Sequence, residues 1–110
     1  MEIIKSREDI SNLFSLGKRY HTPYLTLIIL PNDQHGLQGR VAFVAGKKLG
    51  GAVWRNGAKR RMREICRLDG GGIPGFDTVF VAKGRLLAAP YEQVSRAYRD
   101  LVRRKLAKDE

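Results

Sequence analysis

Only one cysteine, Cys66, occurs in the 110 residues of this chain. A single cysteine cannot form an intrachain disulfide, and without a Cys-x-x-Cys pair there is no cysteine-based zinc site. Long apolar runs are missing too: the longest lies near residues 24–31, far short of the ~20 residues that cross a bilayer. Because the start of the chain lacks the apolar segment of a signal peptide, we expect a cytoplasmic protein with no membrane partner.

Acidic residues are few compared with basic ones. The chain has 21 lysines and arginines against 11 aspartates and glutamates, which gives a net charge of +10. A small domain with this charge favours a polyanionic partner, and nucleic acid is the commonest polyanion. Composition alone leaves open a surface that is merely soluble, although solubility requires a smaller net charge.

The chain also lacks a recognisable set of catalytic side chains. His21 and His35 are far apart and lie near turn residues, which favours surface positions over a role as a general base. Glu8 and Asp9 are explained by their place at the start of a helix. The glycines at 70–72 are not followed by Gly-Lys-Ser/Thr, so they do not form a phosphate-binding P-loop. The sequence therefore predicts a binding protein.

The hydrophobic pattern predicts a single α+β domain over residues 1–110, with helices covering a small sheet. A first helix begins at the capping box Ser6-Arg7-Glu8-Asp9, and we expect Gly17 to end it in the left-handed conformation. A turn is predicted at Pro31, Asn32, Asp33 and Gly36. The other predicted elements are a strand at about 20–30 that breaks near Pro23, a strand at 40–45, a helix at about 52–68, a strand at 76–82, and a helix with Pro90 as its first residue that ends near 107.

The helix at about 52–68 concentrates basic residues on one side. At 100° per residue, an arc of about 140° holds a set of polar residues, nearly all of them cationic. The set is Arg55, Asn56, Lys59, Arg60, Arg63 and Arg67. Trp54, Ala58, Met62 and Ile65 lie almost opposite, and Arg61 lies outside the arc. One face is therefore predicted to meet the core and the other an anion.

Like charges stack along this arc, since Arg55, Lys59 and Arg63 repeat every four residues. Each such pair destabilises a helix by about 0.2–0.5 kcal/mol unless an anion compensates. Arginine can donate two parallel hydrogen bonds to a phosphate, and Asn56 can contact a base edge or a sugar hydroxyl. We therefore predict a nucleic-acid-binding face, with an ordinary solvated face as the alternative.

Basic residues continue just before this helix, at Lys47 and Lys48. Gly50 and Gly51 permit a close approach of the backbone, and a helix N-terminus offers unpaired N–H groups to phosphate. A plain strand-to-helix turn explains Gly51 equally well. A DNA partner is not expected, because nothing indicates a helix-turn-helix or the half-site spacing of a dimer.

Residues 44–64, Val-Ala-Gly-Lys-Lys-Leu-Gly-Gly-Ala-Val-Trp-Arg-Asn-Gly-Ala-Lys-Arg-Arg-Met-Arg-Glu, resemble the signature of the bacterial ribonuclease P protein family. The family pattern runs roughly S-K-K-x-G-N-A-V-x-R-N-x-x-K-R-x-x-R-E. This chain departs from it at Gly46, Gly51 and Gly57, where the family often has serine, asparagine and arginine. Gly57 removes a cation and weakens the helix by about 1 kcal/mol relative to alanine, so we expect either a weaker affinity for RNA or a locally looser helix, with the function retained.

The resemblance implies an α-β-β-β-α-β-α order, like the second domain of a ribosomal small-subunit protein, with a left-handed β-α-β crossover. It implies a non-catalytic protein subunit of ribonuclease P that binds the catalytic RNA subunit and the 5′ leader of precursor tRNA. The RNA then removes the leader in a Mg²⁺-dependent reaction. The Mg²⁺ is expected at the RNA active site and the RNA–protein interface, and the sequence shows no protein ligand set for it.

Two RNA surfaces are implied by the resemblance. The surface for the catalytic RNA comprises Lys47, Lys48, Arg55, Asn56, Lys59, Arg60, Arg63 and Arg67. A cleft between the first helix and the sheet holds the leader and comprises Ile10, Phe14, Thr26 and Ile28. Stacking of a base on Phe14 would contribute about 1–3 kcal/mol. Ordinary core packing stays open for Ile10, Leu13 and Phe14, and a structural RNA-binding module such as a ribosomal protein stays open as the alternative function.

Overall fold

A mixed five-stranded β-sheet forms the centre of the molecule. The structure is a computed structural model that describes residues 1–32 and 39–106, so the predicted turn residues Asp33 and Gly36, as well as His35, lie outside it. The strands are β1 (Glu2–Ile3), β2 (Lys18–His21), β3 (Leu25–Pro31), β4 (Arg40–Val44) and β5 (Phe76–Ala82). The helices are α1 (Arg7–Leu16), α2 (Ala52–Leu68) and α3 (Tyr91–Leu101), with a 3₁₀ turn at Lys47–Leu49 and a π-helical turn at Val102–Leu106.

The α+β class and the predicted order are confirmed, with one additional strand. The sheet order is β1-β4-β5-β3-β2, in which β4 runs parallel to β1 and β5, while β3 runs antiparallel to β5 and β2. The α2 helix connects the neighbouring parallel strands β4 and β5, as the crossover requires; its hand stays a prediction. The additional strand, β1, has only two residues, which are too few to show a hydrophobic period.

The sheet separates two hydrophobic clusters. On one face α1 packs against the sheet, with Ile4, Leu13, Ile28, Ala42 and Val79 buried together. On the other face α2 and α3 pack against the larger cluster, which is centred on Phe80 and its tilted contacts with Phe43 and Tyr98. The alternation of side chains along each strand produces this division. The basic helix and the predicted leader cleft therefore lie on opposite faces of the sheet.

The break in the strand near Pro23 is confirmed, and Thr22 explains its geometry. The hydroxyl of Thr22 accepts hydrogen bonds from the N–H groups of Tyr24 (3.1 Å) and Leu25 (3.0 Å), which bends the chain between β2 and β3. Threonine hydroxyls stabilise turns in this way. The turn therefore places β2 and β3 side by side as an antiparallel pair.

Three predictions about helix ends fare differently. Ser6 caps α1 as expected, since its hydroxyl accepts from the N–H of Asp9 at 3.2 Å. The conformation predicted for Gly17 is wrong: its φ is −71°, which any residue can adopt. Pro90 is the N-cap of α3 and not its first residue, and regular α-helix ends at Leu101, where the π-helical turn begins.

Gly17 is required by close packing. A β-carbon placed there would lie 2.5 Å from Ile28 Cγ2 and 2.5 Å from the carbonyl oxygen of Leu13. We expect Gly17→Ala to lower the free energy of unfolding by about 1–3 kcal/mol, because overpacking forces neighbouring atoms apart. Gly46→Ala is the control, since a β-carbon on Gly46 would meet nothing within 4 Å. Urea unfolding measures both, and equal stabilities would contradict the packing argument.

Candidate nucleic-acid interface

The α2 helix buries one side and exposes most of the predicted basic arc. Ala58, Met62, Ile65 and Cys66 are buried against the sheet. The exposed members of the arc are Asn56, Arg60, Arg63 and Arg67, while Arg55 and Lys59 are half-buried. Cys66 is buried and projects from the helix in nearly the same direction as Arg55 and Lys59. This side of α2 therefore faces the core, and the exposed face is centred nearer to Arg60.

Arg55 lies at the edge of this face. Its Nε atom is buried and has no hydrogen-bond partner among the described residues. The side chain as a whole is half-exposed, so its terminal nitrogens can reach a ligand at the surface. Arg55 therefore stays in the candidate interface, at its border with the core.

Two other arginines of the arc have partners inside the protein. The guanidinium carbon of Arg63 lies 5.6 Å from the ring centroid of Phe43, at the distance of a cation–π contact. Arg67 donates to Glu64 at 2.8 Å across one helical turn. Both side chains are exposed in this pair, so a phosphate competes with Glu64 for Arg67. The helical projection placed Glu64 beside the arc but did not reveal the pair.

Arg61 faces away from the arc, as predicted. It connects α2 to the segment before α3 through hydrogen bonds. Its Nη1 atom donates to the carbonyl oxygens of Leu86 (3.1 Å) and Ala89 (2.7 Å). Its guanidinium also lies 5.9 Å from the ring centroid of Tyr91. Arg61 therefore holds the helix in position, while the arginines around Arg60 face solvent.

Lys47 and Lys48 are exposed on the 3₁₀ turn at the end of β4. The neighbouring parallel strand β5 ends at the same end of the sheet, and Lys83 and Arg85 follow it in the chain. Lys83 donates to the carbonyl oxygen of Thr22, in the turn between β2 and β3, at 2.7 Å. The sequence analysis missed these two cations, because their place at this end of the sheet depends on the parallel pairing of β4 and β5.

Gly50 and Gly51, just before α2, have different structural roles. A β-carbon on Gly50 would lie 2.9 Å from Cβ of Trp54, so Gly50 allows Trp54 to pack closely within the protein, while the close approach of this backbone to RNA stays a prediction. Gly51 is the N-cap of α2, has no side chain to cap it, and faces open space. Because asparagine is among the best N-cap residues, the departure from the family pattern at Gly51 removes a helix cap.

The predicted leader cleft is partly closed by α1. Ile28 is fully buried beneath α1, and Thr26 is 7% exposed with its hydroxyl 3.0 Å from Nδ1 of His21. Ile10 and Phe14 are half-buried at the border of the same cluster, whereas Leu13 is fully buried in the core. Of these side chains, Ile10 and Phe14 offer the most surface to a ligand, while Ile28 forms part of the support beneath them.

The sheet continues beyond α1 as a partly exposed strip. Thr26 pairs with Val81, and Val81 pairs with Val44, so the three side chains form one row across β3, β5 and β4. Val44 and Val81 are half-buried and pack against the same cluster as Phe14. Arg19 borders the strip, with Nη2 donating to the carbonyl oxygen of Phe14 at 2.8 Å. We call Phe14, Thr26, Val44 and Val81 the α1-side strip.

Other kinds of site were sought across residues 1–32 and 39–106. No group of three or more His, Cys, Asp or Glu side chains in these ranges is arranged to hold a metal ion. None of the helices in the same ranges is long and apolar enough to cross a membrane. Burial raises the pKa of the Cys66 thiol to about 12, so this cysteine is a poor nucleophile at neutral pH.

Comparison with known proteins gives the family of this chain. The family model for ribonuclease P matches residues 1–106. A ribonuclease P protein component from Nitratiruptor sp. is 30% identical over 104 residues, which cover 94% of this chain and 92% of that protein. Another from Desulfovibrio desulfuricans is 35% identical over 104 residues, with 92% and 80% coverage. The solved structure of the RNase P protein from Thermotoga maritima has a TM-score of 0.81 at 27% identity, covering 94% of this chain and 97% of that one. This chain therefore belongs to the ribonuclease P protein family.

Proposed function

We propose that this chain is the non-catalytic protein subunit of ribonuclease P and works with a catalytic RNA to remove the 5′ leader of precursor tRNA. The observation that carries the proposal is the exposed basic face of α2, with Asn56, Arg60 and Arg63 at its centre. Membership of the family supports the RNA partner. A cytoplasmic location belongs to the same proposal, since precursor tRNA is made there.

The basic face would bind the catalytic RNA mainly through phosphates. Lys47 and Lys48 extend the face to the start of α2, where the exposed N–H groups of the first turn add to the positive potential. Binding at such a face releases counterions from the RNA, which makes the affinity strongly dependent on salt. The protein would thereby lower the repulsion between the catalytic RNA and its precursor tRNA substrate.

The α1-side strip would hold the single-stranded leader on the opposite face of the sheet. Phe14 offers a ring on which a base can stack, and Val44 and Val81 add apolar surface beside it. Arg19 lies 5.7 Å from the Phe14 ring centroid, where its charge can meet a leader phosphate. A protein with RNA surfaces on both faces of its sheet can bridge the catalytic RNA and the leader.

Mg²⁺ belongs to the RNA in this proposal. The carboxylate of Asp77 is already held by Arg40 at 2.6 Å, and the described residues present no metal-binding group. The part of the chain that the structure describes therefore does not fit a Mg²⁺ site, and we assign the metal to RNA phosphates. The protein would assist by adding fixed positive charge where the two RNA molecules meet, which reduces the concentration of Mg²⁺ that they need.

A cleavage assay tests both parts of the proposal. The chain is mixed with bacterial ribonuclease P RNA at low Mg²⁺ and given precursor tRNA with either a long leader or a single-nucleotide leader. We expect stimulated cleavage at the mature 5′ end, with a clearly greater stimulation for the long leader. An unrelated basic protein of similar net charge is the control.

The outcomes separate the alternatives. No stimulation beyond the basic control contradicts the proposed function and leaves a structural RNA-binding module, such as a ribosomal protein, in its place. Equal stimulation for the two leaders contradicts the assignment of the leader to the α1-side strip, while the role of α2 toward the catalytic RNA stands.

A further inference from the structure

An apolar groove borders the basic face of α2 at Gly57. Its lining residues are Val53, Trp54, Asn56, Gly57, Arg60 and Leu87. Val53 is 89% exposed, more than the other large hydrophobic side chains that the structure describes. Together with Leu87 and Trp54 it forms an apolar surface beside a cationic face, and the hydrophobic effect opposes the exposure of such a surface to water.

Glycine at position 57 leaves the helix surface open within this groove. A β-carbon on Gly57 would lie 3.4 Å from Cδ1 of Leu87, in the segment between β5 and α3, so a side chain at this position would occupy the space beside Leu87. Gly57 is in the interior of a regular helix, where glycine costs about 1 kcal/mol relative to alanine. The open position at Gly57 therefore lowers helix stability, but it leaves room in the groove for part of a ligand.

The groove combines two kinds of surface. Val53, Leu87 and the half-buried Trp54 provide its apolar surface. Asn56 and Arg60 lie one turn apart along its edge, and both are exposed. No ion pair between Arg60 and another described residue occupies its guanidinium. The groove therefore matches a ligand that has a flat apolar part, a hydrogen-bonding edge and a nearby negative charge.

We propose that this groove binds one unstacked nucleobase of the RNA that α2 contacts, with Arg60 on its phosphate and Asn56 on its base edge. The inference rests on the proposed function and adds a base-specific contact to a face that otherwise recognises phosphates. A free phosphate would leave Val53 and Leu87 unused. A second copy of the chain is disfavoured by repulsion, since each copy carries a net charge of +10.

The test compares Val53→Ala with Leu68→Ala. Leu68 is also an exposed apolar residue of α2, at 62%, but lies outside the groove. Binding of ribonuclease P RNA is measured by filter binding over a range of salt concentrations. We expect Val53→Ala to weaken binding about threefold to tenfold without changing the salt dependence, because it removes base contact and no phosphate contact. Leu68→Ala should match the wild type.

A second variant, Gly57→Leu, fills the groove while improving the intrinsic helix propensity. Chemical probing of the RNA bases is expected to show one base that the wild type protects and Gly57→Leu leaves reactive. If Val53→Ala and Leu68→Ala bind alike and no base loses protection, the groove proposal fails while the basic face stands. If the wild type itself does not bind the RNA, the proposed function fails, and the groove proposal fails with it.

Discussion

Asp77→Ala is expected to lower the free energy of unfolding by about 3–5 kcal/mol, because it leaves a largely buried charge on Arg40 without its main partner. Oδ1 of Asp77 accepts from Arg40 Nε at 3.0 Å, and Oδ2 accepts from Arg40 Nη2 at 2.6 Å. The side chains of Arg40 and Asp77 are 12% and 7% exposed. Asn32 donates to the same carboxylate at 2.9 Å, so the substitution also removes the acceptor of a second group.

The pair also connects three parts of the fold. Arg40 and Asp77 are register partners on the parallel strands β4 and β5. Arg40 additionally donates to Asp9 at 3.2 Å, in the first turn of α1. The hydrogen bonds with Asp77 raise the pKa of Arg40 above its usual range. A guanidinium is protonated at neutral pH whatever its surroundings, so Arg40 keeps its charge in Asp77→Ala and cannot offset the loss of its partner by deprotonation.

Asp9→Ala is the matched control for this prediction. Asp9 also binds Arg40, but its side chain is 40% exposed, so water can replace it and the expected loss is below about 1 kcal/mol. Urea unfolding at neutral pH, followed by circular dichroism, measures both variants. Equal losses, or a loss below about 1 kcal/mol for Asp77→Ala, would show that the buried pair does not hold the two strands together.

The elements that the sequence predicted well are those with a clear residue pattern. The bounds of α2 and β5 agree with the prediction, because α2 repeats buried residues with a helical period, and β5 is an uninterrupted run rich in residues that favour strands, buried or half-buried throughout. The β1 strand was missed because two residues carry no period, and its pairing with β4 involves distant parts of the chain. Lys83, Val44 and Val81 were missed for a related reason, because their neighbours are set by the order of strands in the sheet.

The basic face shows a second limit of sequence reasoning. A helical projection gives the direction in which each side chain leaves the helix, but a long side chain can end elsewhere. Arg63 reaches over Phe43, and Arg67 reaches Glu64. Packing in three dimensions also decides why residue 17 is a glycine. A larger residue is excluded there by the close approach of Ile28, and not by the φ angle of the backbone.

Arg60→Ala and Arg61→Ala remove the same charge from neighbouring positions, yet we expect them to act differently on RNA binding. Arg60 is exposed at the centre of the basic face, so its loss should weaken binding and reduce the slope of log affinity against log salt by up to about one unit. Arg63→Ala should act in the same direction. Arg61 donates to two carbonyl oxygens inside the protein, so Arg61→Ala should change the slope little.

Arg61→Ala should instead lower stability, because the carbonyl groups of Leu86 and Ala89 lose their donor. Salt-dependent binding of ribonuclease P RNA and urea unfolding, measured on the same three variants, separate the two roles. Equal reductions in slope for Arg60→Ala, Arg63→Ala and Arg61→Ala would mean that the RNA responds to net charge alone. A reduction confined to Arg60→Ala and Arg63→Ala would mean that one side of α2 faces the RNA, while Arg61 holds that side in position.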